Sequence, residues 1–210
     1  MNITTEEPTS VKTAEENKYV TAKRQRQEHV DAVLRSSSKK KIVVAGPGTG
    51  KTYLFKTILH GKKNHLTLTF VNALVEALSL ELCDISEVKT LHGFARGVLQ
   101  QAKGDIKVFP KLAEVIREDA RILLNEDIDF DHLFHNRDDD NIHIEFYRKR
   151  KDYYGHYGFS DMVFAAVKYF GKNTNKIPLF GQVVVDEFQD FNALEVLICF
   201  NQSETICFAE

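Results

Sequence analysis

The stretch Ala45-Gly46-Pro47-Gly48-Thr49-Gly50-Lys51-Thr52 carries the residue types that hold a polyphosphate. Glycines permit the positive-φ backbone that turns successive N–H groups onto one phosphate, and a helix opening at Lys51 adds the positive end of its dipole. In that arrangement the Lys51 ammonium reaches the β and γ phosphates and the Thr52 hydroxyl ligates Mg²⁺. The strict P-loop pattern GxxxxGK[ST] asks for Gly where this chain has Ala45; the glycines at 46, 48 and 50 still allow the turn. Hydrolysis also needs one carboxylate for the metal and another for the attacking water, at the end of a neighbouring strand. Val183-Val184-Val185-Asp186-Glu187 supplies both at the end of an apolar run, which assigns Asp186 to Mg²⁺ and Glu187 to orienting the water. An acidic turn capping the next helix accounts for Asp190 but not for two adjacent carboxylates at a strand end.

These groups meet only if strands deliver them to one edge of a sheet. The hydrophobic pattern predicts strands at 42–45, 66–70, 88–91, 182–186 and 205–209, with helices at 25–34, 51–60, 73–82, 93–102 and 193–200. Between 109 and 170 only helical segments are predicted: 111–124, a short one near His132, 142–153, and 160–170, where Met162, Val163, Ala166, Val167 and Phe170 share one face. Strands alternating with helices specify an α/β parallel sheet with covering helices and an inserted helical subdomain. The expected organisation is a flexible leader at 1–22, a first part of the core at 23–105, the insertion at 106–180 and a return to the core at 181–210.

Composition sets bounds on partners. The 28 Lys+Arg and 30 Asp+Glu leave a net charge of −2, with the excess of basic residues in the front half, so a polyanion partner is compatible but a duplex-coating basic protein is not indicated. No run of eighteen apolar residues occurs, and the expectation is a cytoplasmic protein without membrane partners. The 3 cysteines are too few for a disulfide framework. His132, His135 and His143 lie near Asp138, Asp139 and Asp140 but lack the tight ligand spacing of a zinc site.

At Asp186-Glu187-Phe188-Gln189-Asp190 the chain resembles motif II of the UvrD/Rep-like superfamily 1 DNA helicases. Residues 45–52 are similar to that family's motif I, Thr69-Phe70-Val71-Asn72 to motif Ia, and Thr90-Leu91-His92-Gly93-Phe94 to motif Ib. Gly158-Phe159-Ser160-Asp161 resembles the segment ahead of motif II. The resemblance implies a P-loop NTPase (RecA-like) domain that binds ATP with Mg²⁺ and couples hydrolysis to movement on single-stranded DNA. It implies Phe70, Asn72, Thr90, His92 and Phe94 on the DNA side, and Gln25 or Gln27 as the residue reading adenine, with Gln27 favoured. The family's motifs III to VI, with arginines from a second RecA-like domain, are not in these residues. An amino-terminal fragment or a naturally short product is therefore expected, weak or inactive unless a second domain or partner supplies the arginine, a group worth about 10³–10⁵ in turnover. The alternative is a non-catalytic nucleotide-binding or protein-docking module with a P-loop fold. The tract Tyr147-Arg148-Lys149-Arg150-Lys151-Asp152-Tyr153-Tyr154 reads either as a phosphate-backbone contact or as a solvated helix face.

Overall fold

The computed structural model describes residues 9–46, 48–61, 64–200 and 206–209. Its strands are β1 (Lys40–Val43), β2 (His65–Thr69), β3 (Glu87–Thr90), β4 (Gln182–Val185) and β5 (Ile206–Ala209). Its helices are α1 (Thr9–Arg35), α2 (Lys51–Leu59), α3 (Asn72–Leu82), α4 (Leu91–Lys103), α5 (Leu112–Leu124), α6 (Phe130–His135), α7 (Ile142–Tyr154), α8 (Phe159–Lys172) and α9 (Ala193–Phe200). Among the described residues no helix is long and apolar enough to cross a membrane.

All pairings are parallel, in the order β1-β5-β4-β2-β3. The apolar runs explain the interior of that order: every residue of β2, β4 and β5 is buried, while β1 and β3 are half-exposed. A strand covered on both faces reads as a continuous apolar run rather than an alternation. Alternate residues then serve two cores. Leu66, Leu68, Val183, Val185, Ile206 and Phe208 face a cluster built from α4 to α9. Val184, Cys207 and Ala209 face a smaller one built on α2, α3 and Val30 of α1. Connections from β1 to β3 step one way along the sheet and use the α2/α3 face; those from β3 back to β5 use the other, as one crossover handedness requires. Each fully buried Leu, Ile or Phe contributes roughly 1.5–3 kcal/mol.

Four of the five helices between β3 and β4 are started by side chains that satisfy free backbone donors, α5 being the exception. Asp129 accepts from the His132 amide at 3.0 Å, Asn141 from that of His143 at 3.0 Å, and the Asp161 carboxylate from that of Gly158 at 2.5 Å. Of the residues expected to form the leader, 9–22 belong to α1, which begins at Thr9, and 1–8 lie outside the described residues. From Asn17 to His29 the helix is exposed throughout, so no burial pattern could announce it. Its support is helix propensity with pairs one turn apart, Arg24 to Glu28 at 3.0 Å and Gln27 to Asp31 at 2.8 Å.

Candidate functional site

Parallel strands end on one edge of the sheet, and β5 alone separates β1 from β4. The loop leaving β1 and the acidic end of β4 are thus about 10 Å apart, two strand spacings, within reach of one long side chain. In the loop, Gly48 has φ 73 and Gly50 has φ 93. Both lie in the left-handed region where a Cβ is strained. Thr49 closes the turn by donating its hydroxyl to the Gly46 carbonyl at 2.7 Å, and Gly50 caps α2, which opens with Lys51 and the half-buried Thr52. Pro47, expected to line the phosphate, lies outside the described residues.

The Asp186 amide donates to the Leu68 carbonyl at 2.8 Å and so extends the β4 ladder by one residue. Glu187 then turns left-handed, with φ 50 and ψ 49, into a short 3₁₀ turn at Phe188–Asp190. The Lys51 ammonium lies 2.5 Å from Glu187 Oε1, a contact that joins the phosphate loop to the acidic strand end. Gln189 donates to Glu187 Oε2 at 2.8 Å from the other side. The hydrogen bond from Lys51, with that from Gln189, holds the Glu187 carboxyl below the usual range. Burial pushes Asp186 the opposite way, against the attraction of Lys51. Two buried polar atoms at the ends of β2 and β4, Thr69 Oγ1 and Asp186 Oδ1, have no hydrogen-bond partner.

A cavity of about 600 Å³ opens beside the loop, walled by Gln25, Arg26 and His29 of α1 and by Ala45, Gly46 and Lys51. Its size suits a nucleoside. The Arg26 guanidinium packs so closely that a Cβ on Gly50 would meet its Nε at 3.2 Å. Gln27, the favoured reader of the base, is not in this wall. Helical geometry turns it to another face, where it donates to Asp31 at 2.8 Å and accepts from the Tyr53 hydroxyl at 3.2 Å. Gln25, two residues earlier, takes the wall position.

A second hollow, about 210 Å³, lies at the ends of β2 and β3, lined by Phe70, Asn72, Thr90, His92, Arg96 and Phe159. Phe70 and Phe159 are both 38% exposed. His92 stands between them, 5.7 Å from the Phe70 ring and 4.2 Å from that of Phe159. Phe191, just beyond the acidic turn, meets Phe70 edge-on at 5.9 Å. Thr90 caps α4, its hydroxyl accepting from the Gly93 amide at 3.0 Å. Phe94 does not join this group. It is 5% exposed and packs on Phe180 inside the larger core, because two residues past His92 the helix has turned inward. Phe159, Phe191 and Arg96 were not read from sequence as part of such a hollow. For Arg96 a signal existed, since it follows His92 by one helical turn.

His92 Nε2 lies 3.7 Å from Glu195 Oε1, but the contact is not an ion pair. Burial lowers the imidazole to about 4, so it is neutral at pH 7. Burial also raises Glu195, which is fixed by reciprocal bonds with Asn192 at the start of α9.

The basic tract of α7 is largely neutralised within the fold. Arg148 pairs with Asp139, Lys149 with Glu145 at 2.8 Å, and Arg150 with Asp119 at 2.7 Å, while Tyr147 is buried. Of the two sequence readings, this geometry suits the structural one for Lys149 and Arg150.

A family model described as AAA domain matches residues 27–205. Comparison with curated proteins returns no match. The matched span covers most of the chain, which belongs to this AAA domain family, a P-loop type also found in UvrD/Rep-like helicases.

Proposed function

We propose that this AAA-domain chain is the ATP-binding motor domain of a DNA helicase, one that couples ATP hydrolysis to translocation on single-stranded DNA. The observation that carries the reading is the contact of Lys51 with Glu187 at 2.5 Å, made at the sheet edge where Asp186 keeps an oxygen without a hydrogen bond. The donor set suits Mg²⁺, for Thr52 and Asp186 are the hard oxygen ligands such an ion takes beside a phosphate. When bound, the ion neutralises charge on the β and γ phosphate oxygens.

The chain's own groups divide the remaining work. The backbone N–H groups of Gly46, Gly48 and Gly50 are the ones left to meet the phosphates, since Pro47 has none and the Thr49 amide is bonded to the Gly46 carbonyl. Lys51 leaves Glu187 for the nucleotide, and the freed carboxylate orients a water and accepts its proton. Gln25, from the cavity wall, is the better placed of the two glutamines to read the base. Phe70 and Phe159 offer stacking faces for DNA bases, with His92 packed between them and Asn72 and Thr90 as polar contacts. Phe188 to Phe191 run from the acidic turn to the Phe70 ring, which supports a path for coupling between the two sites. An arginine from a second RecA-like domain or a partner belongs to the same reading.

Binding of a fluorescent thymidine oligonucleotide, measured across salt with and without a non-hydrolysable ATP analogue, tests it on the unmodified chain, Lys51→Ala and Glu187→Gln. Nucleotide binding lost in Lys51→Ala, and DNA affinity that responds to nucleotide, are expected. Nucleotide binding with no DNA binding would overturn the motor reading in favour of a nucleotide-binding docking module.

A further inference from the structure

We infer that a pocket between α4, α7 and α8 binds a phosphorylated sugar, as a free sugar phosphate or as the 5′-phosphorylated end of an RNA strand. The pocket, about 350 Å³, shares no residue with the cavity beside the phosphate loop. Its wall holds Lys103, Arg148, Lys151, Lys168 and Lys172, with Asp161 at its buried side. Arg148 and Lys168 share one carboxylate, that of Asp139. The Lys151 ammonium is 3.7 Å from Asp161 Oδ2 and lies 4.2 Å over the Tyr157 ring, whose hydroxyl accepts from Lys103 at 2.8 Å. Lys172 is exposed and pairs with no carboxylate among the described residues. Five cations thus face two carboxylates around a concave surface, which favours a dianionic phosphoryl group.

Asp161 adds a second requirement. The side chain is 4% exposed, and its Oδ1 accepts from the Gly158 amide at 2.5 Å and the Tyr147 hydroxyl at 3.0 Å. Its Oδ2 has no hydrogen bond within 3.5 Å and meets only the Lys151 ammonium, at 3.7 Å, which leaves room for a closer donor. A buried carboxylate oxygen held only by a cation beyond hydrogen-bond distance is incompletely satisfied, and a ligand hydroxyl supplies the short donor. Inorganic phosphate meets only the demand of the lysines. An amine meets only that of Asp161 and is repelled by the cations. A sugar phosphate meets both, and the terminal ribonucleotide of a strand offers the same pair through its 5′-phosphate and 2′-hydroxyl.

Calorimetric titration of the full chain with ribose 5-phosphate, ribose and inorganic phosphate tests the assignment. Ribose 5-phosphate is expected to bind about tenfold or more tighter than either fragment. Lys172→Glu is expected to weaken it by about tenfold or more, equally when made in a Lys51→Ala background that removes phosphate binding by the loop. Asp161→Asn, checked for folding by circular dichroism, is expected to erase the advantage over inorganic phosphate. Because that carboxylate also caps α8, Lys172→Glu decides the matter if Asp161→Asn does not fold. A short RNA carrying a 5′-phosphate, compared with its 5′-hydroxyl form and with DNA of the same sequence, separates the sources. Tighter binding of the phosphorylated RNA than of ribose 5-phosphate assigns a strand end, and exclusion of the RNA assigns a free sugar phosphate. Failure of both to bind, or equal binding of ribose 5-phosphate by Lys172→Glu, overturns the proposal.

Discussion

Glu187→Gln is expected to bind ATP more tightly while hydrolysing it more slowly. The Lys51 ammonium is engaged by Glu187 at 2.5 Å, with the two side chains 19% and 28% exposed. A phosphate recruits that ammonium only by displacing the carboxylate. Opposite unit charges 4 Å apart attract by about 4 kcal/mol at an effective dielectric of 20, and the shorter separation here raises the figure. Desolvation of both ends returns most of it, leaving a net contribution of about 1–2 kcal/mol that the nucleotide must overcome. Glutamine keeps the shape and a weaker hydrogen bond but removes the charge. ATP affinity should therefore rise by roughly fivefold to thirtyfold, the factor that 1–2 kcal/mol represents. Turnover should fall by about 10²–10⁴, as for loss of a general base. Equilibrium titration with a fluorescent ATP analogue and a phosphate-release assay read the two numbers separately. The gain in affinity should also be larger at low salt, because a partly exposed pair is screened. Unchanged or weaker ATP binding by Glu187→Gln at low salt would refute the view that Glu187 competes for Lys51.

Other expectations concern the aromatic hollow and the buried titrating groups. Phe70→Ala and Phe159→Ala should each cost about 1–3 kcal/mol of single-strand affinity at little cost to folding, read by oligonucleotide anisotropy. Phe94→Ala should instead destabilise the fold by about 3–5 kcal/mol in urea denaturation, since that ring is core. Burial raises the Asp161 carboxyl to about 6, so the folded state holds the proton more tightly than the unfolded state. Its contribution to stability is greatest below about pH 4 and falls as pH rises to about 6, by up to about 3 kcal/mol, so Asp161→Asn should gain on the unmodified chain over that range. His92 runs the other way, because burial depresses it to about 4 and the unfolded state binds the proton first. Stability present above pH 6.5 is lost as pH falls toward 4, and denaturation of His92→Gln should show that acid sensitivity reduced.

The elements were legible where burial imposes a period, and unreadable where it does not. The β4 run Val183 to Val185 is apolar because both faces of a central strand are covered, so it marked the strand and placed Asp186 at its end. The face shared by Met162, Val163, Ala166 and Phe170 marked α8 for the same reason, all four being buried. The exposed length of α1 carries no such period, which hid its start and let Gln27 be favoured over Gln25, although the turn of the helix puts Gln25 in the cavity wall. Glycine spacing disclosed the phosphate loop because positive φ at Gly48 and Gly50 is a backbone demand that few other residues meet. The partner of Lys51 had no such local signature. Its contact with Glu187 joins positions on either side of the whole helical insertion, and only the strand order that puts β5 between β1 and β4 brings them together. Phe94 was placed on the DNA side by the resemblance of 90–94 to motif Ib, whereas 100° per residue along α4 sends His92 toward Phe159 and Phe94 into the core.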